Sequence, residues 1–259
     1  MADYGICELS VVPVRKQPSD KSEMINQLLF GDLLIIEESQ GNWYLIRTSH
    51  DNYEGWTDSK QVTIIGKEEY IEIGKSETYY INTISNYVTD NNYRKLSIVL
   101  GSKLPNYNNG SFSFEEKNYS INNNTVTKTM DPDLSILETA KKYLGAPYLW
   151  GGRSPYGIDC SGYVQLVFGM HGISLPRDAY LQVESGSTID FIDEAKTGDL
   201  AYFDNEEQQI IHVGILLDNK KIIHASGEVR IDNIDHQGIY NEQLKKYTHK
   251  LRIIKRILD

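Results

Sequence analysis

From Cys7 to Ile65 the chain alternates short apolar runs, LLFGDLLIIEES and WYLIRTS, with the turn text QGN and HDNYEGWTD. Runs this short, rich in Ile, Leu, Trp and Tyr and broken by Gly, Asn and Asp, predict the strands of a small β-barrel rather than helices. The segment carrying Cys7 reads as an edge strand. Residues 67–128 are richer in Tyr, Asn and Ser, and IVLGSKLPNYNNGSFSFEEKNYSIN alternates again around Pro105 and Gly110. That predicts a second β module, a degenerate barrel or else a β-rich insertion or linker. The period changes at MDPDLSILETAKKYLG, where Asp131 or Asp133 can cap a helix, Pro132 suits its first turn, and Ile136, Leu137, Ala140, Tyr143 and Leu144 share a face. A domain boundary near residues 124–129 follows. Cys160 to Met170 forms another helical run, with Val164, Val167 and Phe168 at helical spacing after a turn marked by Gly157 and Asp159. DLAYFD (199–204), IIHVGILL (210–217) and KIIHAS (221–226) predict consecutive antiparallel strands. The division expected is 1–66, 67–128 and 129–259, and the fold class is α+β.

Two of these elements carry candidate chemistry. Cys160 sits at the first turn of its helix, where unpaired N–H groups and the macrodipole favour an anion, so a thiolate is expected there. The bland alternative is a small buried hydrophobe, the usual state of a free cysteine. His212 and His224 lie on strands joined around Asp218, Asn219 and Lys220. A loop of three or five residues places Leu217 opposite Lys221 and His212 diagonal to His224 on one face; an even loop would put the two rings on opposite faces. Together, a thiol, one histidine to take its proton and a second to fix the first ring's tautomer form the logic of a thiol hydrolase. A zinc site on the same three residues is the competing use, but no His-x-x-x-His or Cys-x-x-Cys pair supports it. His50, His171, His236 and His249 lie in polar or loop text and are assigned no role.

Composition narrows the partners. At 259 residues the chain can bury a core without staples, and its two cysteines, Cys7 and Cys160, suggest neither a disulfide nor a zinc site. A net charge of −10 argues against nucleic acid or an anionic membrane as a partner. No apolar run reaches a membrane span, and the start MADYGICELSVVP lacks the basic and apolar regions of a signal peptide. A cytoplasmic monomer is therefore expected, or a periplasmic or extracellular one if an export signal has been removed.

Residues from about 130 to 259 resemble an NlpC/P60 cysteine peptidase domain. YLGAPYLWGGRSPYGIDCSGYVQLVF is similar to that family's nucleophile motif, TGDLAYF to its following strand, and HVGILL and IIHAS to its histidine strands. The N-terminal stretch resembles a bacterial SH3 (SH3b) domain in VRKQPSDKSEMINQLLFGDLLII, NWYLIRT and YEGWTDSKQV. The resemblance implies a papain-like domain behind one or two small SH3-like β-barrels. It also implies Cys160 as nucleophile, His212 as general base and later acid, and His224 as the orienting third member. Tyr148 would line the pocket and aim its hydroxyl at the reacting carbonyl, while the Cys160 N–H would complete an oxyanion site. Asp159 and Ser161 would help hold the substrate, Asp159 doubling as a helix cap. RDAYLQ (177–182) departs from the family's Arg-Asp-Ser by Ala179, so Arg177 either meets the substrate's α-carboxylate or pairs with a structural acid.

In this domain order the chain resembles γ-D-glutamyl-L-diamino acid endopeptidases. The implied activity is hydrolysis of the γ-D-glutamyl-L-diamino acid bond in free murein peptides with an unblocked L-Ala, without a cofactor. Trp43, Tyr44, Tyr53 and Trp56 would be the aromatic candidates for a wall closing the cleft, with Tyr44 or Tyr53 and Asp159 on the alanine ammonium; packing of the barrel is their plainer reading. An endopeptidase or amidase acting on intact cell wall is one alternative, and a non-catalytic murein-peptide-binding protein another.

Overall fold

The computed structural model describes residues 3–129 and 135–258, which divide into two compact units. The first comprises residues 1–132 together with 150–155 and 170–172; the second holds the rest. Among the described residues, no helix is long and apolar enough to cross a membrane.

In the first unit, β1 (Asp3–Ile6), β2 (Val11–Arg15), β3 (Met24–Leu29), β4 (Leu33–Gln40), β5 (Trp43–Thr48), β6 (Glu54–Asp58) and β7 (Thr63–Ile65) form one sheet of order β3-β2-β6-β5-β4-β1-β7. The strand leading to Cys7 is therefore interior, paired with β4 on one side and β7 on the other, and not the edge its sequence suggested. Cys7 itself is fully buried among Val12, Val14, Leu28, Leu34, Ile36 and Ile46. A short helix, α1 (Lys67–Lys75), interrupts the expected run of strands. Then β8 (Tyr79–Ile81) pairs β13 (Val126–Lys128), while β9 (Ser85–Asp90), β10 (Lys95–Val99), β11 (Ser111–Phe114) and β12 (Lys117–Ser120) form a four-stranded sheet. One core joins these pieces: Phe30 meets Phe112, Phe114 and Tyr119 edge-on, with Ile6 and Ile65 in the same cluster.

A buried charge cluster ties distant segments of this unit together. Asp32 accepts from the Leu29 N–H at 2.9 Å, from Lys103 Nζ at 2.9 Å and from Arg153 Nη1 at 3.0 Å. Arg153 belongs to β14 (Arg153–Ser154), and its Nη1 also donates to the Gln27 carbonyl at 2.8 Å. The approach is close enough that Gly31, at φ +83°, has no room for a Cβ, which would lie 2.2 Å from the Lys103 carbonyl oxygen. Burial alone would raise the pKa of Asp32, yet Lys103, Arg153 and the neighbouring His50 hold it far below the carboxylate range. His50 is pushed down to about 4, first by burial and then by the positive charges of Lys103 and Arg153.

The second unit begins with α2 (Ile136–Lys141). The expected caps Asp131 and Asp133 lie outside the described residues; the helix starts on Ser135, whose Oγ accepts from the Glu138 N–H at 3.2 Å while Glu138 returns to the Ser135 N–H at 2.9 Å. Ala140 and Tyr143 face inward, but Leu144, past the helix end, is exposed, so the expected apolar face is shorter than its spacing implied. β15 (Gly157–Ile158), α3 (Cys160–Met170) and α4 (Ala179–Gln182) follow. The sheet then comprises β16 (Ser187–Ile189), β17 (Leu200–Asp204), β18 (Ile210–Leu216), β19 (Lys221–Ser226), β20 (Glu228–Asp235), β21 (Gly238–Asn241) and β22 (Lys246–Arg256), in the order β16-β22-β17-β18-β19-β20-β21. Because β21 also pairs β22, the sheet closes into a small barrel around Ala201, Phe203, Leu216, Ile222, Ile234, Ile239 and Ile254. Helices packed with a barrel in one unit, behind SH3-like sheets, make the α+β fold read from the sequence.

Removing the Asp32 charge strands buried Arg153 and half-buried Lys103. Asp32→Asn should lower the stability of the first unit by about 3–5 kcal/mol, measured by urea denaturation of the full chain. The sign with pH follows from the depressed pKa values: the Asp32 contribution is complete above the unfolded carboxylate value and lost as pH falls below it. His50, neutral when folded, adds a loss as pH falls from about 6.5. The wild-type denaturation midpoint should therefore decline steadily below pH 6.

Candidate active site

Cys160 is the first residue of α3, and the helix start is built to hold it. Asp159 caps the turn: its Oδ1 accepts from the Gly162 N–H at 2.7 Å and its carbonyl from the Tyr163 N–H at 3.0 Å. Below the cap the helix is buried nearly all round, with Tyr163, Val164, Val167 and Phe168 fully enclosed and Gln165 Nε2 donating to the Leu175 carbonyl, which fixes the whole element. Arg177, also buried, reaches the same carboxylate with both ends of its fork, Nη1 to Oδ1 at 2.9 Å and Nη2 to Oδ2 at 2.5 Å. Its Nη1 also donates to Ser161 Oγ at 3.0 Å. Asp159, Ser161 and Arg177 thus form one buried cluster beneath the nucleophile. Arg177 pairs with a buried acid, Asp159, and Ala179 opens α4 nearby in sequence without a hydroxyl.

The histidines are brought together by register. Leu217 N–H donates to the Lys221 carbonyl at 2.9 Å, and Gly214 faces His224, Ile215 faces Ile223 and Leu216 faces Ile222. This is the odd-loop pairing, so His212 and His224 share a face, and His212 Nε2 lies 2.8 Å from His224 Nδ1. Both rings are buried. Gly214 makes the approach possible: a Cβ there would come within 2.8 Å of the His224 Cβ. His224 Nε2 in turn lies 3.1 Å from Asp232 Oδ2.

Electrostatics correct one expectation. The helix start does not deliver a resting thiolate: burial, and then the negative charge of Asp159, push Cys160 up to about 12, against the lowering effect of the Val213 and Ser161 N–H groups and of Arg177. The sequence displays the helix terminus but not the depth of burial, and burial wins. His212 moves the other way, held well below the ordinary histidine value by burial and by the neighbouring His224 and His249. Both shifts favour the neutral forms, a thiol at Cys160 and an imidazole at His212. Contact with the Val213 N–H places the thiol beside the strand that carries the base.

Tyr148 is pinned by its N–H to the Gly227 carbonyl at 2.9 Å and by bonds of its neighbours to Ile158. Its hydroxyl is raised to about 12, by partial burial and then by the negative charges of Cys160 and Asp159. Tyr44, on β5, packs against the Cys7 cluster of the first unit, and half-buried Tyr53 precedes β6 with its N–H on Thr48 Oγ1 at 3.0 Å. Two residues escaped the sequence reading. His249, assigned no role, stacks on His212 with ring centroids 4.3 Å apart, and burial is the first cause of its drop to about 4. Asp232 lies in RIDNID, where strand alternation alone gives no sign that it faces a histidine. Among the described residues there is no group of His, Cys, Asp and Glu arranged to hold a metal ion.

A buried thiol at a helix start, in contact with the Val213 N–H beside His212, and a paired His224 on the next strand make the arrangement of a cysteine peptidase. Residues 145–249 match the NlpC/P60 family, and residues 14–62 match the bacterial dipeptidyl-peptidase SH3 domain. The chain thus carries an NlpC/P60 peptidase domain behind an SH3 domain of that kind. It is 29% identical over 224 residues to a gamma-D-glutamyl-L-lysine dipeptidyl-peptidase of Bacillus subtilis, covering 77% of this chain and 71% of that one. It is 44% identical over 104 residues to the probable endopeptidase p60 of Listeria monocytogenes, covering 40% of this chain and 21% of the other. In fold it is similar to an NlpC/P60 family protein from Bacillus cereus, with a TM-score of 0.81 at 19% identity over 99% of this chain and all of the other.

Two outcomes check this geometry. A base whose pKa is depressed stays neutral until the pH falls through the lowered value, so the acid limb of kcat/KM should lie well below the ordinary histidine value; an acid limb centred near 6.5 would contradict it. Gly214→Ala should push His224 off His212 and lower kcat on the order of 10²-fold, read in a peptidase assay beside a circular dichroism spectrum showing the fold retained.

Proposed function

We propose that this protein hydrolyses the γ-D-glutamyl-L-diamino acid bond of free murein peptides bearing an unblocked N-terminal L-Ala, releasing the dipeptide. The observation that carries the reading is the joint occurrence, in one chain, of a Cys160–His212–His224 arrangement and an SH3 domain of the bacterial dipeptidyl-peptidase kind. Similarity to relatives named dipeptidyl-peptidases extends across both units, 77% of this chain in one case and 88% in another from Lysinibacillus sphaericus.

The chemistry follows the resting neutral pair. As Cys160 Sγ attacks the γ-carbonyl carbon, its proton passes to His212 and the new S–C bond leaves an oxyanion. Tyr148 Oη and the Cys160 N–H are the donors assigned to that charge, a type of contact worth roughly 3–4 kcal/mol to acyl transfer. The C–N bond then breaks and His212 gives its proton to the departing amine of the diamino acid. Water, losing a proton to His212, attacks the thioester; the acid leaves, and the proton returns to Sγ.

A second reading, an endopeptidase acting on intact cell wall, is favoured by the 44% identity to the Listeria protein. That similarity spans only 40% of this chain, whereas the dipeptidyl-peptidase similarity spans 77% in one case and 88% in another.

On L-Ala-γ-D-Glu-L-Lys, Cys160→Ala and His212→Ala should each lower kcat by on the order of 10³-fold or more with the fold intact, and EDTA should change nothing. N-acetylation of the alanine should abolish cleavage in a mass-spectrometric product assay. Equal rates on free and acetylated peptides, or release of fragments from purified sacculi, would give first place to the wall-hydrolase reading.

A further inference from the structure

Five residues form a row across three adjacent strands of the barrel: His212 and Gly214 on β18, His224 on β19, Arg230 and Asp232 on β20. Gly214 faces His224 and His224 faces Arg230, so Asp232, two residues on, shares their side of the sheet. The contacts run in one direction without a gap. Arg230 Nη2 donates to Asp232 Oδ1 at 3.0 Å, and Arg230 Nε lies 2.8 Å from Asp232 Oδ2. Asp232 Oδ2 is 3.1 Å from His224 Nε2, and His224 Nδ1 is 2.8 Å from His212 Nε2. Asp232 and both imidazoles are buried.

We infer that Asp232 is a positioning residue that sets the tautomers of His224 and His212 and thereby makes His212 Nδ1 the nitrogen that takes the thiol proton. The deduction rests on counting donors and acceptors. Asp232, ion-paired with Arg230, is acceptor-only, so His224 Nε2 must carry the proton shared with it. A neutral His224 then has a bare Nδ1, which can only accept. His212 Nε2 must therefore be N–H, and the lone pair of His212 is left on Nδ1. His249, stacked on His212, does not disturb this count, because its own Nδ1 is engaged with Thr248 Oγ1 at 2.9 Å. When His212 becomes an imidazolium during attack, the chain of acceptors behind it ends in a carboxylate, which stabilises the charge without taking the proton.

The inference deepens the proposed peptidase reaction and rests on it only for its kinetic arm. Long-range ¹H–¹⁵N correlation spectra of the full chain labelled with ¹⁵N-histidine report the tautomers directly and need no substrate. Wild-type protein near pH 7 should show both His212 and His224 as Nε2–H tautomers. Asp232→Asn, nearly isosteric, can turn an amide N–H toward His224 Nε2; the tautomers of both rings should then invert, and kcat on L-Ala-γ-D-Glu-L-Lys should fall by on the order of 10² to 10⁴-fold with KM within about threefold. Arg230→Gln, which keeps the carboxylate but loosens it, should keep the wild-type tautomers and lose far less. Wild-type His212 found as Nδ1–H, or His224 found as an imidazolium, would overturn the inference even if every variant failed to fold. So would an Asp232→Asn enzyme with full kcat. Wild-type protein inert on the γ-glutamyl peptide but with the expected tautomers would instead overturn the proposed function and leave the relay standing.

Discussion

The pairing register of β18 with β19 is the constraint on which the site depends. A slip of one residue would turn His224 to the opposite face and separate it from His212, leaving two buried imidazoles without each other. What holds the register is ordinary: a three-residue connection, the Leu217–Lys221 hydrogen bond, and apolar neighbours on both sides. What makes it useful is Gly214, since a Cβ there would come within 2.8 Å of the His224 Cβ and of the Ile222 side chain. Backbone hydrogen bonds thus fix the distance between two side chains to 2.8 Å without any contribution from the chemistry itself.

A second, separate constraint holds the nucleophile. Arg177 and Asp159 are both buried, and either alone would be costly; together, with Ser161 and the Gly162 N–H, they satisfy one another under the first turn of α3. The arrangement fixes the turn but does not ionise the thiol, because Asp159 sits close to Cys160 and opposes a second negative charge. Burial thus favours the neutral forms of both Cys160 and His212, and in the proposed reaction charge develops only as the proton moves between them.

Much of this was legible in the sequence, and the reasons differ by residue. The helix from Cys160 to Met170 and the strands around His212 and His224 declare themselves by period, and the three-residue loop gives the histidine geometry by parity. Less legible was α1: KEEYIEIGK follows a glycine that offers no side-chain cap, so nothing marks its start. Position in a sheet is also silent, which is why β1 reads as an edge when it lies between two partners. Burial is the largest omission. It reverses the expected state of Cys160, and the closing of the barrel by β21 and β22 carries His249 onto His212 from far along the chain. Asp232 is hidden for the same reason, since its role exists only once β20 lies beside β19.

In the proposed reaction Cys160 carries an acyl group whose identity is the released dipeptide. Hydroxylamine intercepts thioesters, so turnover of L-Ala-γ-D-Glu-L-Lys in its presence should divert product from free L-Ala-γ-D-Glu to its γ-hydroxamate, in proportion to hydroxylamine concentration, as read by mass spectrometry. Free dipeptide alone at every concentration, or a hydroxamate on any other fragment, would contradict the account.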